Sequence, residues 1–150
     1  MKQKFIIIFI CLVFLVPLSA CNIDEQSEIQ NINAQYNEVV ALFFDKSTVA
    51  TRFEYDTKEN TWTAYITNYN LTIDDTKNLG ADDVLGKYTF YAHTLNNALY
   101  QPARDIFNKS KLKNKKCDIF IHLLDKDEKV CFSSENGITC YSALHKTIVN

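Results

Sequence analysis

One stretch sets the terms for the 150-residue chain. Residues 117–140 place an alternating apolar strand, a turn, a second strand and a break between two cysteines. Ile119, Ile121 and Leu123 alternate with Asp118, Phe120 and His122, the period of two that rests one face of a strand on a core. Residues 125–128 turn the chain, residues 130–133 return as the paired strand, and Asn136-Gly137 breaks it. Beyond the break, Cys140, Leu144 and Ile148 recur at helical spacing with Ala143 beside them, which predicts a final helix.

The ends of the chain limit where it works. Lys2 and Lys4, an apolar run over 5–16, and then Pro17-Leu18-Ser19-Ala20-Cys21 form a secretory signal over 1–20, too short for a membrane span of about 20 apolar residues. Leu18-Ser19-Ala20-Cys21 resembles the bacterial lipobox, which implies lipidation of Cys21 and cleavage before it. Several acyl chains on one residue anchor stably, so residues 21–26 are expected to be a lipidated tether and 27–150 a single domain. Asn22 is not the aspartate that resembles an inner-membrane retention signal. The expected site is therefore the outer membrane, facing the periplasm.

Removing residues 1–20 takes away two lysines and no acid, so the formal charge of -2 falls by two. A mildly acidic domain lacks the basic face that nucleic acid selects. Gly and Pro number three and two, and no repeat or low-complexity run divides the chain. In an oxidising compartment the remaining thiols, Cys117, Cys131 and Cys140, are candidates for one disulfide with one thiol left over.

The N-terminal half predicts a helix and a hairpin. Ile29, Ile32, Tyr36, Val39, Val40, Phe43 and Phe44 fall at helical spacing over 27–45; the first repeats also suit a coiled-coil seam, but for barely two heptads. Residues 48–55 alternate, with Val49, Thr51, Phe53 and Tyr55 against Ala50, Arg52 and Glu54. After a polar turn, Trp62, Ala64 and Ile66 alternate with Thr61, Thr63, Tyr65 and Thr67. Their β-branched and aromatic content suits two strands, and Trp62 is expected in the core. The acidic segment 74–87 lacks the spacing of a calcium loop and reads as solvated surface. Tyr88, Tyr91, Leu95, Ala98, Leu99, Ala103, Ile106 and Phe107 give a second helical stripe, with Pro102 restarting or kinking it. His93 lies off that stripe and reads as a surface histidine. The lysine-rich run 109–116 is expected to be a solvated loop, with attraction to anionic headgroups as the alternative.

These residues carry a resemblance. The second helical stripe over 88–108, Cys117 with Ile119, Ile121 and Leu123, Asp127 at the turn, and Cys140, Ala143 and Leu144 opening the last helix resemble the C-terminal periplasmic domain of TolA and, more distantly, of TonB. The likeness spans residues 88–150. It implies an α+β fold, a small antiparallel sheet packed against helices, here with an added N-terminal helix and hairpin. It also implies a Cys117–Cys140 disulfide, which for a loop of this size contributes on the order of 3 kcal/mol. A Cys131–Cys140 bridge is the alternative and requires 138–144 to be a strand. The family domain continues past its helix to a further strand, for which the hairpin at 48–67 is the expected substitute. TolA's membrane span and helical stalk have no counterpart in residues 1–150, and a lipid is expected in their place.

The resemblance implies a docking module whose partners are a Tol-Pal component, a colicin or a phage protein; no cofactor and no metal are expected from the residues themselves. A periplasmic immunity or exclusion lipoprotein that blocks a toxin is the alternative of another class. Catalysis would have to draw on Cys131 with His122 or His145, but no motif or orienting acid accompanies them.

Overall fold

The computed structural model describes residues 24–71, 86 and 94–143, with the side chains of Leu95 and Ser142 left aside. The expected signal over 1–20, Cys21, nearly all of 74–87, His93, His145 and the expected helix beyond Ala143 lie outside those residues.

The described part of helix α1 covers 24–43. It buries Ile32, Tyr36 and Val40 on one stripe, the 3.6-residue period read in the sequence. Asp45 ends it by accepting from the Ser47 N–H at 2.8 Å, a local turn that also lowers the Asp45 carboxyl pKa. The chain then forms β1 (Val49–Asp56) and β2 (Thr61–Asn68), an antiparallel hairpin in unbroken register.

After β2 the chain crosses over through a π-helical segment, Thr94–Leu99, which runs into α2 (Tyr100–Lys109). Pro102 sits in the first turn of α2, where its missing donor is tolerated. β3 (Asp118–Leu124), β4 (Val130–Glu135) and β5 (Ile138–Ser142) complete a five-stranded sheet in the order β1-β2-β3-β4-β5.

The fold is α+β, and two expectations need correction. The sheet is mixed rather than antiparallel: β2 and β3 run parallel, with Trp62 opposite Ile119 and Ile66 opposite Leu123. Parallel neighbours need a long crossover, and the chain between Asn68 and Asp118 supplies it. The chain after Asn136-Gly137 is a strand through Ser142, so Cys140 and Tyr141 belong to β5 and not to a helix. The cause is the dipeptide itself, with φ of 49° at Asn136 and 81° at Gly137. Two consecutive positive φ values make the tight hairpin turn that folds a strand back on its neighbour. A side chain at Gly137 would also meet Tyr100, whose Cδ1 is 2.5 Å from the position of an added Cβ.

Both helices lie on one face of the sheet, because Trp62 touches both. It packs edge-on to Tyr36 of α1 with centroids 5.0 Å apart, stacks on Phe53 at 5.5 Å, and meets Phe107 of α2 at 5.5 Å. Trp62 is 0% exposed, and its indole N–H donates to Asn33 Oδ1 at 2.8 Å. A buried indole needs such a partner. Ala64, Ile66, Ile119, Ile121, Leu123 and Phe132 extend the same layer. Beneath the π-helical segment the layer turns polar: Asn96 accepts from the Ser134 hydroxyl at 3.1 Å and donates to Thr139 Oγ1 at 2.7 Å.

Candidate functional site

The sheet face turned away from α1 and α2 carries the residues that alternate with the core. Register places five of them in one line across all five strands. Arg52 stands opposite Tyr65, Tyr65 opposite His122, His122 opposite Ser133, and Ser133 opposite Tyr141. Neighbours so placed have Cβ atoms about 4.5–5.5 Å apart, close enough to interact directly.

The line is held by contacts along its length. The Arg52 guanidinium lies 4.0 Å over the Tyr65 ring and pairs with Glu54. The Tyr65 hydroxyl donates to Glu54 Oε2 at 3.1 Å, so one carboxylate fixes both side chains. Tyr65 stacks on His122 with centroids 5.2 Å apart and planes 29° from parallel. His122 Nδ1 and the Ser133 hydroxyl are 2.7 Å apart. Desolvation raises the Tyr65 pKa, helped by Glu54. Desolvation also lowers the His122 pKa, against a smaller opposing pull from Glu54, so at neutral pH the ring is uncharged.

The chemistry of this line is that of side chains suited to contact another molecule. Arg and Tyr side chains pre-ordered on a rigid sheet are the residue types that dominate binding energy at protein interfaces. The Ser133–His122 contact has the length of a nucleophile–base pair. However, Ser133 is 6% exposed, and no described group hydrogen-bonds the second ring nitrogen of His122. No described group of acids, histidines and cysteines has the arrangement of a metal site.

The cysteines are placed apart. Cys117 is half-buried just before β3, Cys131 is buried in β4 and Cys140 is exposed in β5, all as free thiols. The expected Cys117–Cys140 bridge is not formed. β4 runs between β3 and β5, which separates them by two strand spacings, about 10 Å, whereas bridged Cα atoms lie within about 7 Å. Cys131 and Cys140 are each the extra residue where a ladder shifts register, and Cys131 faces Ala143 rather than Cys140. Burial pushes the Cys131 thiol pKa up to about 12, with Asp125 adding to it, and that of Cys117 up to about 11, with Asp118 adding. Cys131 packs in the core cluster while His122 lies on the opposite face, so the two form no thiol–base pair.

The lysine run closes on the start of α1. Lys111 pairs with Asp24 at 2.9 Å and Lys115 with Glu25 at 2.6 Å, and the Lys111 backbone N–H donates to Glu28 Oε1 at 3.1 Å. Next to it is an open cleft of about 520 Å³, lined among the described residues by Glu25, Gln26, Ile29, Tyr55 and Thr57. Tyr55 donates to Asn60 Oδ1 at 2.9 Å, and its pKa is pushed up to about 12 by burial first and then by Glu25.

No family model, no curated protein and no solved structure matches the chain.

Proposed function

We propose that this chain is an envelope lipoprotein, anchored through Cys21 to the outer membrane and facing the periplasm, that works as a non-enzymatic protein-binding module. The observation that carries this reading is the pre-ordered line from Arg52 to Tyr141 on the sheet face that neither described helix covers. The Cys131 thiol in the core, and the Ser133–His122 pair with no orienting acid bonded to it among the described residues, favour binding over catalysis. A kinship with the TolA C-terminal domain belongs to this proposal. It draws on the helix layer over the sheet and on the β3 alternation of Ile119, Ile121 and Leu123, and β5 departs from it. On this reading the partner is a Tol-Pal component, or a colicin or phage protein that targets one.

A second reading, an immunity or exclusion lipoprotein that blocks a toxin, draws on the same face. Arg52 with Glu54 offers paired opposite charges beside an aromatic ring, which suits recognition of one specific folded surface. Co-purification from envelope extract separates the two. The first reading expects Tol-Pal, colicin or phage proteins with the native chain and at least tenfold less with Arg52→Ala/Tyr65→Ala. Recovery of a toxin in their place supports the second reading. Equal recovery by the native chain and the variant removes this face from both.

A further inference from the structure

The two edges of the sheet are unlike. β5 is five residues long and its ladder is bulged, devices that keep an edge from accepting another strand. β1 runs eight residues in unbroken register, with neither proline nor bulge. The Tyr69 N–H donates to the Thr48 carbonyl at 2.9 Å. By the alternation of an antiparallel ladder, even-numbered residues of β1 therefore turn their backbone groups toward β2, and Val49, Thr51, Phe53 and Tyr55 turn theirs outward. Among the described residues nothing bonds those outward groups.

We propose that β1 pairs with β1 of a second copy of this chain, antiparallel about a two-fold axis at Phe53, joining two sheets into one. Charge complementarity selects this occupant. With Phe53 opposite itself, Arg52 faces Glu54 of the second copy and Glu54 faces its Arg52, so the same pair forms on both sides of the axis. Arg52 and Glu54, which pair within one chain, exchange partners across the axis. Sliding the register by two residues either way sets Arg52 against Arg52 or Glu54 against Glu54, and like charges directly opposite destabilise a ladder. The pattern thus favours this register over both of its neighbours. Thr51, Phe53 and Tyr55 supply the main-chain bonds. The half-buried Phe53, which flanks the Trp62 cluster, is covered by its symmetry mate.

An axis perpendicular to the sheet keeps α1 of both copies on the same side. On the lipoprotein reading, both anchored ends then face one membrane. The dimer does not depend on that reading, and its test uses no binding partner.

Native mass spectrometry and light scattering on the full chain test the pairing. The native chain is expected at the mass of two copies. Arg52→Glu and Glu54→Arg each set like charges opposite one another, and each is expected at the mass of one copy, with a dissociation constant at least tenfold weaker. The double variant Arg52→Glu/Glu54→Arg returns to two copies. An equimolar mixture of the two single variants forms the mixed dimer, because every acid of one chain then faces a base of the other. The mixed dimer also separates lost pairing from lost folding. A native chain at the mass of one copy overturns the proposal, and so do single variants that both remain dimers.

Discussion

The face of the sheet under α1 and α2 and the face turned away from them come from alternate residues of the same strands, yet they are held in different ways. Under the helices, Trp62, Phe53, Tyr36 and Phe107 meet at centroid distances of 5.0–6.0 Å and exclude water. On the opposite face, Arg52, Glu54, Tyr65, His122 and Ser133 are joined side by side through a cation over a ring, a stack and two hydrogen bonds. Burial of area dominates the first face, since removing a buried aromatic side chain costs about 3–5 kcal/mol. Pair contacts dominate the second, at about 0.2–1 kcal/mol each. The contacts along the second face are therefore expected to contribute less to stability than those of the first.

Substitutions on the two faces test this contrast. Trp62→Ala removes the ring that joins both helices to the sheet, and denaturant unfolding is expected to show a loss of about 3–5 kcal/mol. Asn96→Ala, on the covered face, leaves Ser134 and Thr139 without their partner. A loss of about 1–3 kcal/mol is expected, the cost of buried polar groups left unpaired. Tyr65→Ala, on the face turned away from α1 and α2, is expected to cost about 1 kcal/mol, the worth of an aromatic stack, while sharply weakening partner binding. A stability loss for Tyr65→Ala as large as that for Trp62→Ala would erase the distinction between the faces.

The smallest effect expected is one of pH. Burial holds the His122 pKa below its ordinary value of 6.5. As pH falls through that value the unfolded chain takes up a proton that the folded chain resists, so stability declines toward acid. His122→Asn is expected to flatten that decline below pH 6.5, read from unfolding midpoints across the acid range.

How much of this was legible in the sequence depended on the range of each signal. Helix α1, the hairpin β1–β2 and the burial of Trp62 follow from local periodicity, and the structure agrees with them closely. β3 and β4 were equally plain. The error fell after Asn136-Gly137, where the helical spacing of Cys140, Leu144 and Ile148 outweighed a dipeptide that strongly favours a two-residue hairpin. The turn carried the more reliable signal for residues 138–142. The line from Arg52 to Tyr141 was only half legible. Arg52, Tyr65 and His122 could each be set on the polar face of its own strand, but aligning them needed the parallel pairing of β2 with β3. That pairing joins segments some 50 residues apart and leaves no periodic trace. The separation of Cys117 from Cys140 follows from the same missed turn, because only with 138–142 as a strand does Cys140 lie on the far side of β4.

The central claim is that the face turned away from α1 and α2 meets a protein partner, and photo-crosslinking in intact cells tests it most directly. A photoreactive residue at Thr63, beside Tyr65 on that face, is compared with one at Lys126 in the β3–β4 turn. The account predicts a discrete protein adduct from position 63 that weakens at least tenfold when Arg52→Ala is added, and none from position 126. Adducts of equal yield from both positions, or no adduct from position 63, would contradict it.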